Sequence, residues 1–367
     1  MSDVVDREQR ILGIIETARS KRPKFRDERI TMAHGAGGKA TASLIEGVLV
    51  PAFGSEALDE LADAGAIAVE GTELAMTTDS FVVKPIRFPG GSIGELAVNG
   101  TVNDLAVSGA RPVALSLALI LEEGLEADVL RAEVDAIAAA ARAADVKIVT
   151  GDTKVVERGH ADQMYVCTTG IGRRDPRARL SPAALRPGDR VIVSGRIGDH
   201  GTAIMLARGE FDLGATIESD TRPLWPAVDA LLGVGTPEHP AVRCLRDATR
   251  GGVASVLNEL ARASGVAMLV QESAVPVHPM VAGAAEILGI DPMHVANEGV
   301  LVAIVDPEHA DAALAALRAA GSEGEFEQAA VIGEVKTEPP GMVLVETAFG
   351  GKRVMDQLVG DPLPRIC

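Results

Sequence analysis

At 367 residues, 47% of them hydrophobic, the chain is long enough to fold two domains of ordinary size and fill a core in each. Aromatic side chains make up only 2%, with Trp225 and Tyr165 the sole Trp and Tyr, so the cores are built from Ala, Val, Leu and Ile, and base-stacking platforms are disfavoured. A formal net charge of -17 repels phosphate backbones and anionic membranes, which argues against nucleic acid or a lipid surface as partner but leaves room for metal-bridged nucleotides.

The N-terminus has no apolar core followed by a cleavage site, and no apolar stretch approaches the roughly 18 residues of a membrane span. Three cysteines do not make a disulfide framework, and Cys167 and Cys244 read as small buried residues. A soluble protein of the reducing cytoplasm is expected.

Residues 1–30 are charge-rich and hold one possible short amphipathic helix around Ile11, Leu12, Ile14 and Ile15, which marks them as an appendage. From His34 onward, Gly-punctuated loops alternate with helices and β-rich strands. Helical spacing predicts a helix over 39–50, then helices near 93–108 and 125–144. Strands are predicted at 66–69, 74–78, 113–121, 147–150 and 163–171, giving a first mixed α/β domain over 31–172. Pro176, Pro182 and Pro187 then mark a linker. A second α/β domain over 173–355 repeats the rhythm, with strands at 190–194, 266–270, 301–305, 330–335 and 342–346. Helices are predicted at 201–208 and 252–263 and before Ala320. Residues 356–367 carry Pro362 and Pro364 and form an extended, solvated, flexible tail ending in Cys367, a soft nucleophile placed like the cargo group of a carrier arm.

The glycine-rich turn Gly35-Ala36-Gly37-Gly38 runs into a helix, leaving backbone N–H groups free to cradle an anion, although it lacks the spacing of a P-loop. Asp79, Asp104, Asp152 and Asp247 each stand at the end of an apolar strand or beside a glycine. Singly, each reads equally well as a cap or turn former. Together, in a chain without zinc-like Cys or His spacing, they suggest hard-cation ligation, with Mg2+ bridging a nucleotide's phosphates. Lys154 and Arg250 flank two of these acids and offset phosphate charge or form structural ion pairs. Of the seven histidines, only His34 falls in a candidate site.

These phrases resemble one family closely. His34-Gly35-Ala36-Gly37-Gly38, Thr78-Asp79-Ser80-Phe81, Gly100-Thr101-Val102-Asn103-Asp104, Gly151-Asp152-Thr153-Lys154, Asp247-Ala248-Thr249-Arg250-Gly251-Gly252, Asn297-Glu298-Gly299 and the terminal Pro364-Arg365-Ile366-Cys367 are similar to the HypE family of hydrogenase maturation factors. That family lies within the ATP-binding superfamily of aminoimidazole ribonucleotide synthetase and selenophosphate synthetase. The resemblance covers about His34 to Cys367 and implies the two-domain synthetase-like fold, with the first domain pairing across a two-fold axis into a homodimer.

It also implies a reaction. A carbamoyl group is loaded onto Cys367 by the partner HypF, and the S-carboxamide is dehydrated with ATP and Mg2+ to an S-cyanide. The cyanide passes to an iron held by HypC and HypD, for nickel-iron hydrogenase. Carried over by motif, Glu298 is the base and Lys154 steers phosphate or carboxamide. Gly35, Gly37, Gly38, Asp79, Asn103, Asp104, Asp152, Thr153, Lys154, Asp247, Thr249, Arg250 and Gly251 surround the nucleotide, and the four Asp residues hold the metal. Two alternatives remain at this level. A selenophosphate synthetase asks for a reactive Cys near the Gly-rich turn, yet no cysteine precedes Cys167. A non-catalytic nucleotide-binding carrier would have no need of the acids and Glu298.

Overall fold

The computed structural model describes residues 25, 27–35, 38–53, 63–209, 216–322, 324–358 and 365–367; the helix expected near Ile11 lies outside them. Helix α1 (Lys39–Leu44) passes through a π-helical stretch (Ile45–Leu49) into α2 (Val50–Phe53). The first domain then follows as β1 (Gly65–Val69), β2 (Thr72–Phe81), the small hairpin β3 (Arg87–Phe88) and β4 (Gly91–Ser92), α3 (Ile93–Val107), β5 (Ala110–Glu122), α4 (Ala127–Ala143), β6 (Lys147–Val156) and β7 (Met164–Arg174). Its main sheet has the order β1-β2-β7-β5-β6, antiparallel except for the β5–β6 pair.

Helix α3 is capped by the Ser92 hydroxyl, which accepts from the Gly94 N–H at 3.2 Å. It is buried at every residue but Glu95 and Asp104, as an apolar helix sandwiched between a sheet and a second helix must be. Gly100 is required there, because a Cβ would sit 2.8 Å from the Phe81 ring of β2. The other face of the sheet is open. Along β7, Met164, Val166 and Thr168 are buried beneath α3 while the alternating Tyr165, Cys167 and Thr169 are partly exposed. Cys167 is therefore not the buried residue expected, and its Sγ lies 3.1 Å from Ser80 Oγ on that open face.

The second domain comprises β8 (Arg190–Val193), α5 (Asp199–Ala207), α6 (Trp225–Leu232), β9 (Val242–Asp247), α7 (Gly252–Ser264), β10 (Ala267–Gln271), α8 (Pro279–Leu288), β11 (Leu301–Val305), α9 (Ala310–Arg318), β12 (Ala330–Lys336), β13 (Val343–Glu346) and β14 (Lys352–Met355). Its seven-stranded sheet, ordered β14-β13-β10-β12-β8-β11-β9, is covered on both faces. Val191, Val193, Val302 and Ile304 pack on one side with Val253, Leu257 and Leu260 of α7. Ile192, Leu301, Ala303 and Val305 pack on the other with α6 and α9. Ala106 and Val107, at the end of α3, join this second cluster and fasten the first domain to the second.

The acids do not all sit where the sequence places them. Asp79 lies within β2, Asp104 in the last turn of α3 and Asp152 in the middle of β6; only Asp247 ends a strand. Gly151 misleads because its role is close packing, not turning: a Cβ there would lie 2.3 Å from the Leu117 carbonyl oxygen on β5.

Candidate active site

The end of the chain is seated between the domains. Instead of lying in solvent, Ile366 is 2% exposed and Cys367 7%, packed with Phe81, Phe88, Leu96, Val166, Ile204 and Ala296. Backbone and side chains of both domains hold the last three residues. Val82 N–H donates to the Cys367 carbonyl at 3.0 Å, and Lys84 N–H to that of Arg365 at 3.3 Å. From α5, His200 Nε2 donates to the Ile366 carbonyl at 2.7 Å, and from the residue after it, Arg208 donates to the Arg365 carbonyl at 2.6 Å. Burial lowers the His200 pKa to about 4, so the ring is neutral, with Nε2 carrying the proton and Nδ1 accepting from Ser219 Oγ at 2.8 Å. Arg365 is itself tied to Asp162 at 2.5 Å. The result is that Arg250 Nε meets Cys367 Sγ at 2.8 Å, so a guanidinium faces the sulfur and whatever group it carries.

Arg250 also acts by its charge on Glu298 and Asp79, members of a cluster of buried and half-buried acids. Glu298 is 3% exposed, and its Oε2 falls 3.9 Å from where a Gly100 Cβ would stand, on the Phe81 side of α3. Its carboxyl is raised well above the ordinary range by burial first, then by Asp247 and Asp220, against the pull of Arg250. Asp104 and Asp247 are raised for the same reasons: loss of water, then the charges of Asp79 and Asp63 around them. Asp79 accepts from Thr101 Oγ1 at 2.8 Å and Asp104 from Thr77 Oγ1 at 2.7 Å, which orients both beneath the sheet. Among the described residues no three acids, histidines or cysteines converge on one ion-sized centre. Buried carboxylates that raise one another still call for a cation, and Mg2+ is commonly held by one or two carboxylates with phosphate and water completing its shell. Asp79, Asp104 and Asp247 supply carboxylates of that kind without converging, among the described residues, on one centre.

The glycine-rich loop closes one side. The Gly35 carbonyl accepts from Arg250, and Gly38 packs so tightly on the Leu358 backbone that a Cβ would lie 2.5 Å from its oxygen; Gly37 is outside the described residues. His34 turns away, bonded to Thr31 and to Asp27 at 3.0 Å. Opposite, Gly251 and Gly252 have φ of +76° and +61°, and a Gly252 Cβ would strike the Met293 and Val295 carbonyls at 2.5 and 2.6 Å. They open α7 after Thr249 without a side-chain cap, leaving its first N–H groups for an anion. Asn103, 1% exposed, uses its amide elsewhere: Nδ2 donates to the Arg222 and Glu298 carbonyls at 3.0 and 3.2 Å, and Oδ1 accepts from Leu224 N–H at 2.7 Å.

Asp152, Thr153 and Lys154 stand apart. Asp152 is in register with Ala118, Cys167 and Ser80, three strand spacings, or about 14 Å, from β2 and on the open face. It pairs with Lys154 Nζ at 2.5 Å, and that hydrogen bond holds its carboxyl below the usual range. Within one chain this pair does not join Asp79, Asp247 and Glu298.

Several residues of the site carry no sequence signal. Asp63, just before β1, pairs with Arg246 at 2.6 Å and adds its charge to the cluster. Asp220 touches the Glu298 peptide, while His200, Arg208 and Asp162 grip the tail; all sit on segments far apart in sequence, so no spacing rule links them to Cys367.

Residues 61–174 match the N-terminal domain of AIR synthase related protein, and residues 186–345 its C-terminal domain. The chain is 49% identical over 345 residues to carbamoyl dehydratase HypE of Rhodobacter capsulatus, covering 94% of this chain and 99% of that protein. It superposes on a HypE–HypF complex with a TM-score of 0.79 at 42% identity, covering 86% of this chain and 100% of that one. On hydrogenase maturation protein HypE in complex with ATP the TM-score is 0.75 at 44% identity, covering 92% and 100%. With both domain matches, near-complete coverage and the terminal cysteine seated against Arg250, the chain belongs to the carbamoyl dehydratase HypE family.

Proposed function

We propose that this protein uses ATP to dehydrate a carbamoyl group carried on its own Cys367, converting the S-carboxamide to an S-cyanide. The observation that carries the reading is the seat of Cys367: its sulfur lies in the interdomain core at 2.8 Å from Arg250, packed with Phe81 and Ala296, next to the Asn297-Glu298 turn. An amide oxygen does not leave as oxide. It attacks the γ-phosphate of ATP, ADP departs, and the oxygen then leaves as phosphate while the nitrogen gives up its two protons. Overall, S-carboxamide and ATP yield S-cyanide, ADP, phosphate and one proton. Glu298 takes protons from the nitrogen, and its burial beside Phe81 keeps competing water away. Arg250 and the open N-terminus of α7 neutralise phosphate charge. Asp79, Asp104 and Asp247 would hold Mg2+, which supplies charge neutralisation at the phosphates.

A buried thiol cannot meet a partner enzyme, so Cys367 leaves its seat for loading, within the roughly 40 Å that twelve extended residues span. The loader is a HypF-type carbamoyltransferase, in keeping with the relative solved in a HypE–HypF complex. The cyanide acceptor is a HypC–HypD scaffold carrying iron. A homodimer forms through the open face of the first sheet, which supplies Asp152 and Lys154 from a second copy to the site they do not reach within one chain.

Intact-mass measurement of the protein after incubation with HypF, carbamoyl phosphate and ATP tests this. A carbamoyl adduct on Cys367 that loses the mass of water with ATP is expected. An adduct that persists identifies a non-catalytic carrier, and an adduct on Cys167 or Cys244 overturns the reading.

A further inference from the structure

Nitrile formation strips two protons from one nitrogen. A single carboxylate base must therefore hand on the first before it takes the second, and Glu298, 3% exposed, has little water to hand it to. Against its peptide lies Asp220, 4% exposed. Asp220 Oδ1 accepts the Glu298 N–H at 2.7 Å, whereas Oδ2 is buried with no hydrogen-bond partner among the described residues. No side chain separates the two segments, because a Cβ on Gly299 would come within 1.9 Å of the Asp220 carbonyl oxygen. Beyond Asp220 comes Asp199, the first residue of α5. Its Oδ1 is also buried and unpartnered, yet the residue as a whole is partly exposed. Asp220 acts by its charge on Glu298, and Asp199 on Asp220, so the three carboxyls are neighbours in turn, and two of them keep an oxygen unused among the described residues.

We propose that Asp220 is the relay acid of this site, receiving from Glu298 each proton taken from the carboxamide nitrogen and passing it through Asp199 to water. The inference rests on the dehydration reading above. The balance is simple: the first N–H proton moves to Glu298 and then to Asp220, which empties the base. The second moves to Glu298 as the carbon–oxygen bond breaks and phosphate leaves with the oxygen, and it then follows the first through Asp220 and Asp199, which leaves the base empty for the next turnover.

The surrounding charges suit the task. Arg222, Asp199 and the Glu298 peptide face Asp220, whose pKa burial pushes up to about 7, where a carboxyl both accepts and releases a proton. Burial raises the Asp199 carboxyl above the ordinary range against the pull of His278, Arg196 and Arg222, which face it. Asp247, Asp79 and Arg250 face Glu298.

The test is a single turnover of full-length, Cys367-carbamoylated protein with ATP, comparing the unmodified chain with Asp220→Asn. The amide keeps an oxygen for the Glu298 N–H but cannot carry the proton onward. Carbamoyl loading and ATP affinity should be unchanged, S-cyanide formation should slow about tenfold or more, and the rate should lose its pH dependence near 7. S-cyanide formation at the unmodified rate with the same pH profile would sink the relay and leave Asp220 as a backbone acceptor only. If the unmodified chain itself forms no S-cyanide, the dehydration reading fails, and the relay with it. Should Asp220→Asn fail to fold by its melting curve, Asp199→Asn, farther out and partly exposed, reads the same path. A several-fold slowing supports the relay and an unchanged rate overturns it.

Discussion

In the role proposed for it, Glu298 is an ordinary carboxylate turned by burial into a base matched to a weak acid. In water it would be too feeble to pull a proton from an amide-derived nitrogen. Here desolvation and the neighbouring Asp247 and Asp220 charges raise its affinity for a proton well above the usual carboxylate range. The sign of the pH effect follows: a base works deprotonated, so a raised pKa moves the rising limb of the rate to higher pH than an ordinary glutamate would give. Single-turnover S-cyanide formation should therefore still climb with pH where a solvated glutamate is already fully ionised. Glu298→Gln should bind ATP and accept carbamoyl on Cys367 yet slow S-cyanide formation about a hundredfold or more. A variant that keeps the unmodified rate removes Glu298 from the chemistry.

At the scale of elements, the docked tail is held by one apolar anchor and a set of backbone bonds. Ile366 fills the pocket between Phe81, Phe88 and Ile204, and a buried Ile→Ala change costs about 2–5 kcal/mol. Ile366→Ala should lower the docked population by a factor of about 30 or more. Alkylation of Cys367 by a soluble thiol reagent, followed by mass spectrometry, should then run at least about tenfold faster. An unchanged rate would mean that the backbone bonds from Val82, His200 and Arg208 suffice alone.

The sequence allowed the tail to be found but not its seat, because Pro362 and Pro364 speak only of local extension, while the pocket is built from five distant segments. Likewise the long periodic elements, α3, α4 and β5, were readable from spacing. The eight-residue α6 and four-residue β14 were not, since so few residues carry no distinguishable period. The open sheet face was equally invisible. Met76 and Ile171 pair across β2 and β7 on it, each 42% exposed. Replacing both with Lys should leave folding within about 0.5 kcal/mol and convert the proposed dimer to monomer in sedimentation. A mass unchanged from the unmodified protein would overturn a dimer through this face.

Across the whole molecule, catalysis depends on two domains keeping register, since the tail seat draws on both and Glu298 must face a sulfur lodged beside first-domain strands. Asn103 is the bolt. From α3 it reaches the second domain and satisfies the Arg222 and Glu298 carbonyls and the Leu224 N–H at once. Asn103→Ala would strand those three groups in a dry interface, at about 1–3 kcal/mol for each group left unpaired. A loss of about 3 kcal/mol in urea unfolding is expected, even without nucleotide, because water relieves part of the penalty. Asn103→Asp should be no better: it keeps an acceptor for Leu224 but turns a carboxylate toward two carbonyl oxygens. Both variants should also displace the Glu298 backbone and slow S-cyanide formation while ATP affinity changes little. The opposite pattern, full stability in urea with weakened ATP binding, would make Asn103 a nucleotide ligand and leave the domain register to other contacts, such as the apolar ones of Ala106 and Val107 and the Asp63–Arg246 pair.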